Sequence, residues 1–187
     1  NISMEWDIEQ NTADHYYEFC NLASRDDTMF DSFKTNSLYT PILSHVPDFM
    51  GHDYNRIIKI AYPNLFDDQR FLANDKYGGP SKLVTEDGLE VDPTTLRYLK
   101  QVGDMASFCS PKSVVEIGGG YGGMSLMLRL YNDVDNYYIY DHPNPVKLAS
   151  TYLSKHGLVL DNEPADRYDL VVSTFAWCEL HDDVRRR

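Results

Sequence analysis

Residues 114–123 read VVEIGGGYGG and run straight into MSLMLRL at 124–130. A short β-branched run closes on an acidic residue, a glycine cluster follows, and then an apolar stretch without a breaker. This order predicts a buried strand over Ser113–Ile117, a tight turn, and a helix from about Gly122 to Tyr131. Glycines let backbone amides come close to a ligand, and the helix behind them presents its positive end. Downstream, Tyr137–Tyr140 predicts a second strand ending at Asp141. Asn144 and Pro145 predict the start of the next helix, with Val146, Ala149, Tyr152 and Leu153 on its inner face and Gly157 as its stop. Leu158–Leu160 reads as a short third strand. YDLVVS (168–173) reads as a fourth, the continuous apolar kind found in parallel sheets. Upstream, Asp92 and Pro93 predict a helix start, Leu96, Leu99 and Val102 its buried face, and Ser110 and Pro111 its end. Strand alternating with helix predicts a doubly wound α/β sheet with right-handed crossovers.

Residues 1–72 predict a mainly helical segment broken at Pro41, Pro47, Gly51 and Pro63. Residues 73–92, rich in turn formers and charge, predict a loop or short hairpin. The expected division is a helical cap with its connector over 1–91 and the glycine-loop domain over 92–187. The 187 residues suffice for one core and a small cap. Seventeen basic against 29 acidic residues, a net charge of −12, argue against nucleic acid or an anionic membrane as partner. The arginines at 185–187 are too short a cluster to reverse this. Three cysteines without metal spacing give neither a disulfide framework nor a zinc site, which fits a reducing compartment, hence the cytoplasm. No stretch approaches the roughly 18 apolar residues of a membrane span, and the polar start, with Glu5, Asp7 and Glu9, does not read as a signal peptide. The aromatic load of 13% suits stacking on a sugar or a ring system, and equally suits core filling.

Gly118, Gly120 and Gly123 satisfy G-x-G-x-x-G, and Asp141 follows 23 residues after Gly118. On that pattern alone a dinucleotide is a candidate, with Asp141 accepting from ribose hydroxyls. An ordinary turn aspartate before His142-Pro143 is the other reading. Glu116 separates the candidate cofactors. A carboxylate entering the glycine loop repels a pyrophosphate, whereas S-adenosylmethionine carries no phosphate and brings an ammonium and a sulfonium. The alternative is a buried Glu116 paired with a neighbouring group.

These residues carry a resemblance. VVEIGGGYGG resembles motif I of the class I S-adenosylmethionine-dependent methyltransferases. YYIYDHP (137–143) resembles their second-strand acidic motif, and YDLVVSTFAWCEL (168–180) their fourth-strand motif. NDKYGGP (74–80), DPTTLRYLKQVGDM (92–105) and FAWCEL (175–180) are similar to stretches of a family of sugar O-methyltransferases. The resemblance spans roughly residues 70–180 and implies a Rossmann-like methyltransferase sheet that places the first strand between the second and the fourth. It implies methyl transfer to a hydroxyl of a sugar or glycan by in-line displacement, the protein aligning the acceptor behind the methyl. The cofactor residues it implies are Glu116, Gly118, Gly119, Gly120, Tyr121, Gly122, Asp141, His142 and Ser173, with Arg97 reaching the cofactor carboxylate. Glu179 and His181, just past the fourth strand, are the candidate general bases; a divalent metal is another way to acidify the hydroxyl. Tyr77 and Trp177 are expected against substrate, Phe175 beside them, and the loop Asn74–Tyr77 closing over it. For each, ordinary packing or a solvated surface is the plainer alternative. The family's sheet has seven strands and this chain supplies four, so it is read as part of a longer enzyme with DLVVS as a sheet edge. A non-sugar hydroxyl as acceptor, a dinucleotide oxidoreductase and a non-catalytic binding domain are the rival readings.

Overall fold

In the computed structural model, which describes residues 2–43 and 45–179 (side chains over 13–43 and 45–177), the first 72 residues are mostly helical. Helix α1 (Ile2–Ala23) leads into α2 (Asp27–Phe30), whose N-cap Asp26 accepts a bond from the Met29 amide at 3.0 Å. A 3₁₀ turn at Phe33–Thr35 precedes α3 (Asp48–Ala61) and α4 (Pro63–Asp68). Pro63 separates the last two, as a residue without an amide proton must. Gly51, expected to break a helix, lies inside α3. A Cβ there would sit 2.3 Å from Leu83 Cδ2, so the glycine permits close approach of a neighbouring segment.

That neighbour is an antiparallel hairpin of β1 (Leu83–Val84) and β2 (Glu90–Val91). Helix α5 (Pro93–Ala106) begins where Asp92 accepts from the Thr94 amide at 2.8 Å. Its first turns are buried on all sides rather than along one stripe. There follow β3 (Ser113–Ile117), α6 (Gly123–Tyr131), β4 (Asn136–Tyr140), α7 (Pro143–Ser154), β5 (Leu170–Val172) and the short α8 (Ala176–Glu179). Helix α7 starts two residues before the expected Pro145, because His142 serves as the N-cap and Pro143 takes the first helical position.

The main sheet is parallel with order β4-β3-β5, so the first predicted strand does lie between the second and the fourth. Among the described residues it has three strands and not four. Leu158–Leu160 forms no ladder: the Asp161 amide gives one bond to the Tyr137 carbonyl at 2.9 Å, and the Val159 carbonyl accepts from Arg129 instead. One face of the sheet carries Val114, Glu116, Tyr137 and Ile139, all buried. Helix α6 lies over it, with the Arg129 guanidinium 5.2 Å from the Tyr137 ring. The paired residues Val115, Tyr138 and Val171 lie on the other face with Tyr140, where Val171 is 60% and Tyr140 59% exposed.

One apolar core runs through cap and sheet layer together. Helix α1 packs along α7, and α3 along α5. The aromatic load is largely spent here: the Phe33 ring lies 5.2 Å from Tyr39, 5.5 Å from Tyr121 and 6.3 Å from Tyr152. Among the described residues no helix is long and apolar enough to cross a membrane.

Candidate functional site

Parallel pairing of β3 with β4 carries the glycine loop to the end of both strands, where the Gly118 amide donates to the Tyr140 carbonyl at 2.9 Å. Gly118 at φ +76° and Gly122 at φ +86° take left-handed backbone that a side chain would strain, and Gly122 then caps α6. Asp141, at the tip of β4, holds the loop: one carboxylate oxygen accepts from the Gly120 amide at 3.1 Å, the other from the His142 amide at 2.7 Å. The Gly119 amide also bonds to the carboxylate, which leaves about one lone pair for a further donor such as a ribose hydroxyl. Burial raises the Asp141 pKa against the lowering effect of those amides. His142 accepts from the Asn144 amide through Nδ1 at 3.3 Å and stacks on Tyr17 of α1, centroids 4.0 Å apart at 15°.

The loop is packed against neighbours on two sides. A Cβ on Gly118 would fall 2.1 Å from Ala176 Cβ, and one on Gly120 would fall 2.5 Å from Leu43 Cδ1. Gly119 faces the sheet, where a Cβ would meet Ile139 at 2.6 Å. The loop is thus held between α8 and the cap segment that carries Leu43.

Glu116 turns to the buried face of the sheet and not to the loop. It is 3% exposed and accepts a bond from the Tyr137 hydroxyl at 2.8 Å. Burial is the main cause that pushes its pKa up to about 8; the Tyr137 bond opposes and Asp141 adds to it. The paired, buried carboxyl is therefore what the fold forms. Tyr121 departs from expectation too: its ring is buried, 4.9 Å edge-on to Tyr152, and only its backbone lines the loop.

On the other side, the Ser173 hydroxyl donates to the Ile117 carbonyl at 3.0 Å and accepts from the Trp177 amide at 2.9 Å, tying β5 to β3 and capping α8. Phe175 and Trp177 stand half exposed just beyond. Arg97, on the second turn of α5, is 5% exposed, its guanidinium carbon 5.4 Å from the rings of both Phe175 and Tyr98. Its Nε is buried without a hydrogen-bond partner, and no carboxylate among the described residues pairs with it. The guanidinium also bonds to the Tyr98 side chain, so Nε is the donor left for a further acceptor. Glu179 ends α8, its side chain outside the described ones; His181 lies outside the described residues.

In NDKYGGP, Asn74 and Asp75 are buried and act as a clamp, while Lys76 and Gly79 are exposed. The Asn74 side-chain amide donates to Thr95 Oγ1 at 2.7 Å and to the Tyr121 hydroxyl at 2.9 Å, and its carbonyl accepts from the Tyr152 hydroxyl at 2.9 Å. Asp75 accepts from the Asp92 amide at 2.8 Å and from the Thr95 hydroxyl at 2.5 Å. Tyr77 is displaced from its expected place. Its hydroxyl donates to the Lys155 carbonyl at 3.4 Å and its ring lies 5.0 Å from His156. That is the far end of the 12-residue α7, about 18 Å along the helix from His142.

Two residues escaped the sequence reading because no motif marks them. A cavity of about 300 Å³ lies between the cap and the start of α5, lined by Lys34, His45, Asp48, Ser81, Asp92 and Pro93. Lys34 is 2% exposed; its ammonium donates to the Asn74 carbonyl and lies 4.6 Å from the Tyr121 ring. Burial pulls its pKa down to about 8 against the pull of Asp92 and Asp75. The ring of His45 lies 6.4 Å from that of Phe175. Among the described residues no group of three or more His, Cys, Asp and Glu is arranged to hold a metal ion.

Comparisons with family models, with curated proteins and with solved structures gave no match. The class rests on the geometry: a mixed α/β protein with a three-stranded parallel sheet and a glycine loop at its carboxyl edge.

Proposed function

We propose that this protein binds S-adenosylmethionine and directs its methyl group to a hydroxyl of a sugar or glycan, its parallel strands being the centre of a Rossmann-like methyltransferase sheet. The observation that carries the reading is the β3–glycine loop–α6–β4 unit with Asp141 at the loop. Ligands of parallel α/β sheets bind outside the carboxyl ends of the strands, and a ribose hydroxyl of such a ligand suits the remaining lone pair of Asp141. The buried Nε of Arg97 fits the cofactor's carboxylate, a group that a dinucleotide lacks. When bound, the cofactor supplies an electrophilic methyl on sulfur. This chain's residues hold it, align the acceptor and accept the hydroxyl proton. His45 joins Glu179 and His181 as a candidate for the last role, because it lies by Phe175. The cytoplasm suits the free thiols of Cys20 and Cys109.

Calorimetric titration tests the reading. S-adenosylmethionine and S-adenosylhomocysteine are expected to bind saturably and NAD not at all. Asp141→Ala is expected to weaken both by about 10–100-fold, the loss of charge-assisted bonds of roughly 1.5–3 kcal/mol. Arg97→Met is expected to weaken S-adenosylhomocysteine by a similar factor but to leave 5′-methylthioadenosine, which has no carboxylate, unaffected. Binding of NAD in preference to either sulfur ligand overturns the proposal.

A further inference from the structure

We infer that the cavity between the cap and the N-terminus of α5 is the acceptor site, and that it takes a neutral, polyhydroxylated ligand of about one sugar residue. The role as acceptor site rests on the methyl-transfer reading; the existence of a polyol site does not.

Size comes first. About 300 Å³ is at the lower limit of small-molecule sites, which run from roughly 300 to 1,000 Å³. That excludes a glycan chain enclosed along its length and admits a terminal residue.

Chemistry comes second. Lys34 offers three donors, of which the Asn74 carbonyl takes one. Asp92 accepts from the Thr94 amide through Oδ1 and also from the Thr94 side chain, and its carboxylate lines the cavity with acceptor capacity to spare. Asp48 adds a carboxylate, while Ser81 and His45 add groups that both donate and accept. Donors and acceptors on facing walls match vicinal hydroxyls, each of which gives one bond and takes others. Pro93 provides an apolar patch for the C–H face of a ring. One ammonium against two carboxylates gives an anionic ligand no net attraction, so a phosphate or sulfate is disfavoured.

Position comes third. His45 lines the cavity and lies by Phe175, which in turn lies 5.4 Å from Arg97. Leu43, two residues back along the same cap segment, rests against Gly120. The cavity is therefore separated from the glycine loop by single side chains, as an acceptor must be if its oxygen is to reach a methyl held over that loop.

The test uses saturation-transfer NMR on the full chain with the methyl glycosides of glucose, galactose, mannose and rhamnose, and with inorganic phosphate as competitor. Ser81→Trp fills the cavity and Asp48→Ala removes an acceptor. Both positions are exposed, so the fold is expected to persist and is checked by circular dichroism. Binding of S-adenosylhomocysteine is measured separately by calorimetry. The expected result is transfer to at least one glycoside, abolished in Ser81→Trp and weakened about tenfold in Asp48→Ala, with S-adenosylhomocysteine still bound by both. No glycoside bound by the native chain, or equal binding by both variants, overturns the inference. So does displacement of glycoside by phosphate. If the variants lose glycoside binding but the native chain does not bind S-adenosylhomocysteine, the polyol site stands and the methyl-transfer reading fails.

Discussion

Glu116 lies near the carboxyl end of β3, buried, and its one described hydrogen-bond partner is a phenol rather than a cation. Burial therefore favours its neutral form, and the pKa rises from 4.5 to about 8. The sign of the consequence follows from proton linkage. Between those two values the folded chain holds a proton that the unfolded chain has released, so raising the pH favours unfolding. The contribution is fully present below the unfolded pKa and is lost as pH rises through about 8. Glu116→Gln keeps an acceptor for Tyr137 and removes the titration. Its stability relative to the native chain is expected to improve with pH across this window, by up to about 1.4 kcal/mol per pH unit. Guanidinium unfolding midpoints of both proteins over a pH series read this out, and parallel curves refute it. The sequence shows that a carboxylate precedes the loop. It does not show which face of β3 the carboxylate takes, and that face decides between a ligand contact and a buried pair.

At the scale of elements, the start of α5 is where connector, α6 and α7 meet, and Asn74 is the fastener. Its side chain completes the hydrogen bonding of Thr95, Tyr121 and Tyr152 at once. Asn74→Ala leaves the buried Tyr121 hydroxyl without a partner among the described residues, at about 1–3 kcal/mol where no water replaces it, and takes one bond each from Thr95, which keeps Asp75, and Tyr152, which keeps the Asn74 backbone carbonyl. The losses are not additive, because the three share one centre. We expect destabilisation of about 2 kcal/mol or more, against about 1 kcal/mol for Tyr152→Phe, which removes one hydroxyl and its shared bond to the two Asn74 carbonyls. Chemical denaturation of the two variants gives the comparison; equal, small losses would mean that the clamp contributes little. The motif NDKYGGP is conspicuous in the sequence, yet polar turn residues read as loop. Only contacts with residues 21, 47 and 78 positions away along the chain turn Asn74 into a buried hub.

For the molecule as a whole, the asymmetry of the main sheet matters most. One face is sealed by helices and aromatics; the other presents Val171 and Tyr140 to solvent beside Val115 and Tyr138. Contiguous exposed apolar surface on a sheet with an open edge promotes association. Val171→Lys places a charge on the outer strand of that face without touching the buried side. It is expected to lower concentration-dependent association in light scattering and to leave the circular dichroism spectrum unchanged. An association unaffected by the substitution would locate the contact elsewhere. The net charge of −12 opposes association but is spread over the surface and screened by salt, so it does not cancel a local apolar patch.

What the sequence determined by itself is the local unit: strand, glycine turn, helix, strand, Asp141. Periodicity and the conformational demands of glycine act within a few residues, and Gly118 and Gly122 occupy the left-handed backbone that such a turn requires. It also marked the cap on α5 at Asp92, a contact between near neighbours. Tertiary structure alone decided where rings and carboxyls point. It turned Tyr121 inward, carried Tyr77 to the far end of α7, left Leu158–Leu160 outside the sheet and stranded the Arg97 Nε without a partner. It also assembled the cavity from Lys34, His45, Asp48, Ser81 and Asp92, five residues with no shared motif. The physical reason is the same throughout. A side chain's direction and charge state depend on the burial and partners that remote segments bring to it, and these come into being only when cap and sheet pack together.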